Sequence, residues 1–145
     1  MIEPSLILTG IADDEAHRIV NDGLASHGVE QAGYWDARPL YVIARDPSNQ
    51  QILGGIVGRT SLGLMFLELV FLPHELRNHG LGTRMLHMAE EEAVKRGCRA
   101  GVLYTISFQA PAFYERHGWR EFGRVACDPP GTSRIFMTKD LSRKP

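Results

Sequence analysis

A short segment between an apolar run and a helix has the composition of an anion-binding loop. Residues 77–83 read RNHGLGT. Glycine disfavours a helix by up to about 1 kcal/mol relative to alanine, so Gly80 and Gly82 at a helix start indicate a need for bare backbone. The first helical turn offers unpaired N–H groups and a partial positive charge, which suit a phosphate. Asn78 tolerates the left-handed backbone that converging N–H groups often require, and Arg77 can add charge-assisted hydrogen bonds.

Three phosphate-binding designs compete for this loop. A Walker loop needs GxxxxGK[ST], and no lysine occurs before Lys95. A dinucleotide fingerprint needs a third glycine where Met85 stands. The pattern R-x-x-G-x-G is satisfied by Arg77, Gly80 and Gly82. A pattern this short also occurs by chance, so a glycine-bearing connection without a ligand is the competing interpretation.

The elements around the loop predict an α/β protein with a mixed central β-sheet and flanking helices. Leu64–Leu72 is apolar except for Glu68, which is typical of a central strand buried on both faces. The strand–helix–strand unit over 64–105 should be parallel. We predict one domain over residues 1–145 in the order β-α-βββ-α-β-α-ββ. Its strands are 5–9, 39–45, 51–60, 64–72, 100–105, 119–125 and 133–139, and its helices are 13–28, 81–97 and 111–117.

Composition narrows the function classes. The net charge is −1 with neutral histidines, which favours neither nucleic acid nor an anionic membrane as partner. No apolar run approaches the roughly 20 residues that span a bilayer, so the sequence indicates a cytoplasmic protein. Cys98 and Cys127 stand apart from each other, and the six histidines form no HxxxH or HExxH pair. We therefore expect reduced thiols and no metal.

A second motif gives the loop a context. Residues 110–119 read APAFYERHGW and match A-x-x-F-Y-E-x-x-G-[FW] on a short helix. This motif, the loop before it and the apolar strand 67–73 together resemble the GNAT N-acetyltransferase superfamily. Two positions depart from the family pattern at the expected coenzyme site. Asn78 stands where the family loop usually has its first glycine, and Ser107 stands where the family often has a pantetheine-binding asparagine.

The resemblance implies direct transfer of an acetyl group from acetyl-CoA to an amine of a small molecule or peptide. It implies that a free strand edge binds the pantetheine arm as an added strand would. The implied coenzyme contacts are Leu69, Val70, Phe71, Leu72, Arg77, Asn78, His79, Gly80, Leu81, Gly82, Thr83 and Ser107. Two other hypotheses remain: a non-catalytic acyl-CoA-binding regulatory module, and a structural domain whose glycine loop binds nothing.

Two residues are candidates for the chemistry. Tyr114 is the candidate acid for the departing thiolate, and we expect it to face the cleft while Phe113 packs into the core. Glu68 is the candidate general base, acting directly or through water. The competing interpretation of Glu68 is a carboxylate paired with a structural arginine.

The acceptor is the least determined part of the prediction. The first helix with its following loop, and residues 127–134, should line the acceptor pocket. Tyr34, Trp35 and Asp36 suit a cationic amine, although a tucked loop explains them equally well. A homodimer is compatible with the sequence, but no interface is legible in it.

Overall fold

The computed structural model describes residues 2–142, which form two compact units, 2–35 and 36–142. The first unit contains helix α1, Asp14–Ala32. An aspartate directly before an apolar helical pattern predicts an N-cap at Asp13. The prediction is confirmed, since the Asp13 side chain accepts a hydrogen bond from the Ala16 N–H at 2.9 Å. The helix runs past Gly28 and ends where Gly33 adopts a left-handed φ of 88°.

The predicted strand at Ser5–Thr9 is wrong. Residues 2–13 contain no strand, and the side chains of Leu6, Ile7 and Leu8 are almost wholly exposed. An extended segment becomes a strand only when its backbone groups pair with a neighbour. No strand of the described residues pairs with this segment.

The second unit contains a mixed sheet, as predicted, with six strands in place of the seven predicted for the chain. The strands are β1 Arg38–Arg45, β2 Ile52–Ser61, β3 Leu64–Phe71, β4 Ala100–Ile106, β5 Arg120–Cys127 and β6 Thr132–Asp140. The helices are α2 Leu81–Lys95 and α3 Pro111–Arg116, with a short 3-10 turn at His74–Leu76. The strands lie in the order β1-β2-β3-β4-β6-β5. All neighbouring strands are antiparallel except β3 and β4, which are parallel and joined through helix α2.

Strands β3 and β4 separate halfway along their length. Leu64–Leu67 pair with Ala100–Leu103, and the pairing ends there. The prediction that β3 is buried on both faces is wrong for its second half, because Leu69 is 65% exposed and Phe71 is 57% exposed. The second half of the apolar segment 64–72 therefore forms an open edge of β3 and is not part of the buried interior.

A β-bulge coincides with the separation. In the ladder between β2 and β3, Gly58 pairs with Leu67 and Val57 pairs with Leu69. The backbone of Glu68 therefore has no residue opposite it on β2. An extra residue bends the strand that carries it and increases its local twist. The bulge therefore turns the end of β3 away from β4 at the point where their pairing stops.

Helix α2 covers one face of the sheet. Met85, Leu86, Ala89 and Ala93 are buried against a core that includes Met65 and other sheet residues. The sequence pattern predicts Met88 in this stripe, but Met88 is 60% exposed. Successive helical residues are rotated by about 100° around the helix axis. Met88 therefore lies outside the buried face, and Leu86 lies within it.

A buried ion pair joins this helix to strand β6. Glu90 is 8% exposed and forms a 2.7 Å ion pair with the Lys139 ammonium. The Trp119 indole N–H donates to the second carboxylate oxygen at 3.1 Å. Both oxygens are thereby satisfied, which a buried carboxylate requires.

Replacing Glu90 should test this group. Glu90→Ala leaves a partly buried ammonium and a buried indole N–H without their acceptor, so we expect a loss of about 2–4 kcal/mol in the free energy of unfolding. Urea denaturation measures it. Glu91→Ala, an exposed position on the same helix, is the matched control and should change stability by less than about 0.5 kcal/mol. Equal effects would contradict a structural role for the Glu90 group.

Candidate active site

A cavity of about 940 Å³ opens where β3 and β4 separate. The end of β3, the start of α2 and the short helix α3 enclose it. Its wall combines apolar and polar groups in nearly equal parts. Its lining includes Ile56, Val70, Phe71, Leu72, Arg77, Asn78, Gly80, Gly82, Thr83, Met85, Leu86, Thr105, Phe108, Gln109, Ala110, Ala112, Phe113, Tyr114, Arg116 and His117.

The loop before α2 presents a set of free backbone donors. Among residues 2–142, the N–H groups of residues 78–83 have no hydrogen-bond acceptor, and the first bond into the helix is from Arg84 N–H to Gly80 O at 3.1 Å. Asn78 has φ 64° and Gly80 has φ 80°, both left-handed. The left-handed backbone expected at Asn78 is confirmed. The arrangement can bind an anion through several N–H groups at once.

Arg77 ties this loop to the end of β3. Its Nε donates to the Leu72 carbonyl at 2.8 Å. One of its five N–H groups is thus used to hold the backbone, while the side chain still lines the cavity. The remaining guanidinium donors are free to bind a negatively charged group.

Gly82 lines the cavity between Phe113 and Leu72. A Cβ at this position would lie 3.5 Å from the Phe113 ring and 3.8 Å from Leu72 Cδ1. Alanine would therefore make ordinary contacts, but a branched side chain would fill the space between β3 and α3. The glycine keeps a passage open beside the N–H groups.

Tyr114 lies deeper than predicted. It is 6% exposed and belongs to the hydrophobic core, whereas Phe113 is only partly buried. The expected division between the two rings is therefore wrong, although both line the cavity. Within the described part of the chain the Tyr114 hydroxyl has no hydrogen-bond partner, yet it is not sealed from solvent. Burial raises the pKa of Tyr114 to about 12, so the phenol stays protonated at neutral pH.

Glu68 lies apart from the cavity. Its carboxylate pairs with Arg59 at 2.6 Å, and its side chain is 46% exposed. This contact is the one that the competing interpretation of Glu68 requires. The carboxylate remains open to water, and it stands at the bulge where the two strands separate.

The predicted coenzyme contacts divide into two groups. Ser107 accepts a hydrogen bond from the Ser133 N–H at 3.0 Å, which joins the residue after β4 to β6. Those that line the cavity are Val70, Phe71, Leu72, Arg77, Asn78, Gly80, Gly82 and Thr83; those outside its lining are Leu69, His79, Leu81 and Ser107.

His117 is a site residue that the sequence reasoning missed. It lines the cavity, and its Nε2 lies 3.0 Å from the Thr83 hydroxyl. Burial lowers the pKa of His117, and the neighbouring His87 lowers it further. The sequence could have indicated this residue, because His117 follows Tyr114 by three residues and caps the end of helix α3.

Residues 2–142 contain neither a candidate metal site nor a membrane-spanning helix. No cluster of three or more histidine, cysteine, aspartate or glutamate side chains in this range could hold a metal ion. None of the helices described is long and apolar enough to cross a membrane.

The fold and the site define a class of protein with known members. The acetyltransferase (GNAT) family model matches residues 13–119, so this chain belongs to that family. An acetyltransferase of Agrobacterium fabrum is 33% identical over 135 residues, covering 93% of this chain and 98% of the relative. A blasticidin-S acetyltransferase of Streptomyces morookaense is 33% identical over 109 residues, covering 73% and 80%. A crystal structure of a candidate acetyltransferase from Agrobacterium tumefaciens has a TM-score of 0.84 at 32% identity, covering 94% of this chain and 99% of that one.

Proposed function

We propose that this protein transfers an acetyl group from acetyl-CoA directly to an amine of a small molecule or peptide. The observation that carries the proposal is the free strand edge and the free N–H groups of residues 78–83 at one cavity. Coenzyme A presents both a peptide-like arm and a pyrophosphate. The relative named for blasticidin-S supports a small-molecule acceptor.

The residues fit the coenzyme in two respects. The edge of β3 that faces β4 lacks a strand partner beyond Leu67, so it can pair with the amide groups of the pantetheine arm. The N–H groups of residues 78–83 converge at a helix start, where the macrodipole also favours negative charge. Arg77 adds donors beside them. Ser107 keeps an O–H to donate, but its oxygen is already used by Ser133.

The transfer needs a neutral amine and a stabilised leaving group. As the amine nitrogen forms a bond to the acetyl carbon, the C–S bond breaks, the nitrogen loses a proton and the sulfur gains one. In our proposal Glu68 or water takes the first proton. Tyr114 donates a hydrogen bond that stabilises the departing sulfur, because its pKa of about 12 disfavours complete proton transfer to a thiolate. The proton that leaves the amine reaches the thiolate through water, which balances the step. Positioning of the two reactants supplies much of the remaining rate enhancement.

The general test combines binding with turnover. Calorimetry and thermal shift should detect acetyl-CoA binding, and thiol release should detect transfer to a panel of amines, amino acids, aminoglycosides and peptides. Binding without transfer to any amine would instead support a non-catalytic acyl-CoA-binding module. Absence of binding would contradict both functions.

A substitution at Gly82 tests the coenzyme site. Gly82→Val should abolish measurable acetyl-CoA binding, because its methyl groups would enter the space between Leu72 and Phe113. Isothermal calorimetry measures the affinity. Gly23→Val is the matched control, since Gly23 lies in helix α1 and a Cβ added there would have no atom within 4 Å. Unchanged affinity in Gly82→Val would contradict the assignment.

A substitution at Tyr114 tests its role toward the sulfur. Tyr114→Phe should lower kcat by about 10²–10⁴ if the hydroxyl acts in the transition state. Acetyl-CoA affinity and thermal stability should stay near wild type, because the hydroxyl makes no hydrogen bond within residues 2–142. Tyr41→Phe, at an exposed tyrosine, is the control. A decrease in kcat below about threefold would assign stabilisation of the departing sulfur to another group.

Paired substitutions separate the two interpretations of Glu68. Glu68→Gln should lower turnover most at low pH, where the acceptor amine is largely protonated and needs a base. Arg59→Gln breaks the same ion pair but keeps the carboxylate, so it should leave the pH–rate profile close to wild type. Equal losses in the two variants would identify the ion pair, and not the base, as the contribution of Glu68.

A further inference from the structure

The face of the sheet opposite the cavity carries an exposed aromatic patch formed by Tyr104, Phe122 and Phe136. Tyr104 on β4 pairs directly with Phe136 on β6, and their ring centroids are 5.7 Å apart. Phe122 lies 6.3 Å from Phe136. Tyr104 is 50% exposed and Phe122 is 55% exposed. Aromatic side chains in this arrangement offer a surface on which a planar ring can pack.

The aromatic patch adjoins the opening between β3 and β4. Strand pairing ends at Leu67 and Leu103, so Glu68 and Tyr104 are the next residues on the two strands. Leu103 and Thr105 are buried on the cavity face, and alternation along β4 places Tyr104 on the other face. A thioester held in the cavity would meet its acceptor from that other face, beside Glu68 and Tyr104.

One uncompensated charge lies on the aromatic patch. The Arg134 guanidinium stacks over the Tyr104 ring at 5.4 Å and has no carboxylate within ion-pair distance among the described residues. The nearby carboxylate of Glu68 is already neutralised by Arg59. This face therefore has an excess of positive charge, and it favours an anionic group on the molecule that binds there.

Asp36, the acidic residue that the sequence associates with a cationic acceptor, forms a hydrogen bond within the sheet unit. Asp36 accepts a hydrogen bond from the Leu62 N–H at 2.8 Å, in the turn between β2 and β3. One oxygen of its carboxylate thus stabilises a turn, and Asp36 is not among the residues that line the cavity. The charge balance of the sheet face is set by Arg134.

We infer that the acceptor of the proposed transfer is an amine that carries a planar ring and a carboxylate. The ring packs on Tyr104 and Phe136, the carboxylate binds Arg134, and the amine lies at the opening beside Glu68. Arg134 and Tyr104 are then specificity-determining residues. This inference rests on the proposed acetyl transfer, which it narrows from amines in general to one chemical class.

Matched acceptors test the inference in the wild-type protein. Thiol release from acetyl-CoA is followed with 4-(2-aminoethyl)benzoate, with 2-phenylethylamine, with the aliphatic 6-aminohexanoate and with the polycation spermidine. We expect kcat/KM to be highest for the benzoate, by about tenfold over 2-phenylethylamine and mainly through KM, because a charge-assisted hydrogen bond is added. A higher kcat/KM for spermidine or 2-phenylethylamine overturns the inference while acetyl transfer stands.

Variants assign the preference to residues. Arg134→Gln should reduce the advantage of the benzoate over 2-phenylethylamine to less than twofold, and Arg134→Lys should keep part of it. Arg124→Gln, at an exposed arginine that is paired with Glu121, should retain the full preference. Tyr104→Leu should weaken both ring-bearing acceptors and leave 6-aminohexanoate unchanged. A preference that survives in Arg134→Gln contradicts the inference.

The same measurements distinguish failure of the inferred acceptor class from failure of the proposed acetyl transfer. Acetyl-CoA binding by thermal shift is measured for every variant and also reports that each is folded. Transfer to any of the four amines upholds the proposed function, whichever is preferred. Bound acetyl-CoA with no transfer to any amine contradicts the proposed function and this inference together.

Discussion

The incomplete pairing of β3 with β4 is the constraint on which the site depends. Backbone N–H and C=O groups that leave a sheet ladder need other partners, because unpaired polar groups are costly once water is removed. The ladder ends after Leu67 and Leu103, and the bulge at Glu68 bends β3 away from its neighbour. The cavity, the free edge of β3 and the access to the opposite face all follow from that separation.

The start of α2 completes the opening that the strands create. Asn78 and Gly80 take left-handed conformations where the chain enters the helix. Across the described range 2–142, the N–H groups of residues 78–83 stay free of acceptors. Arg77 anchors this turn through the Leu72 carbonyl. At the other end of the helix stripe, Glu90 is held by Lys139 and Trp119. The free donors are thus presented by a loop that Arg77 anchors at its start and that continues into a helix held at Glu90. This suits binding of a ligand without rearrangement.

The sequence predicted the helices and strands of the second unit better than it predicted which residues are buried and which strands pair. Local signals, such as the Asp13 cap and the glycines at 80 and 82, located helix ends because capping and backbone freedom depend on a few neighbouring residues. Burial was predicted less well. The apolar run 64–72 indicated a closed interior, yet Leu69 and Phe71 are exposed, because pairing with β4 depends on a register that no local pattern encodes. The segment 5–9 lacked a pairing partner for the same reason.

The two tyrosines nearest the opening show why residue type alone could not locate the chemistry. Tyr114 and Tyr104 have the same side chain, and only the first lies in a motif. The fold buries Tyr114 and raises its pKa to about 12, which makes its hydroxyl a persistent hydrogen-bond donor. It leaves Tyr104 half exposed under Arg134, on the opposite face. In the proposed transfer, a sheet that opens between two strands thereby gives one ring an environment suited to the leaving group and the other an environment suited to recognition of the acceptor.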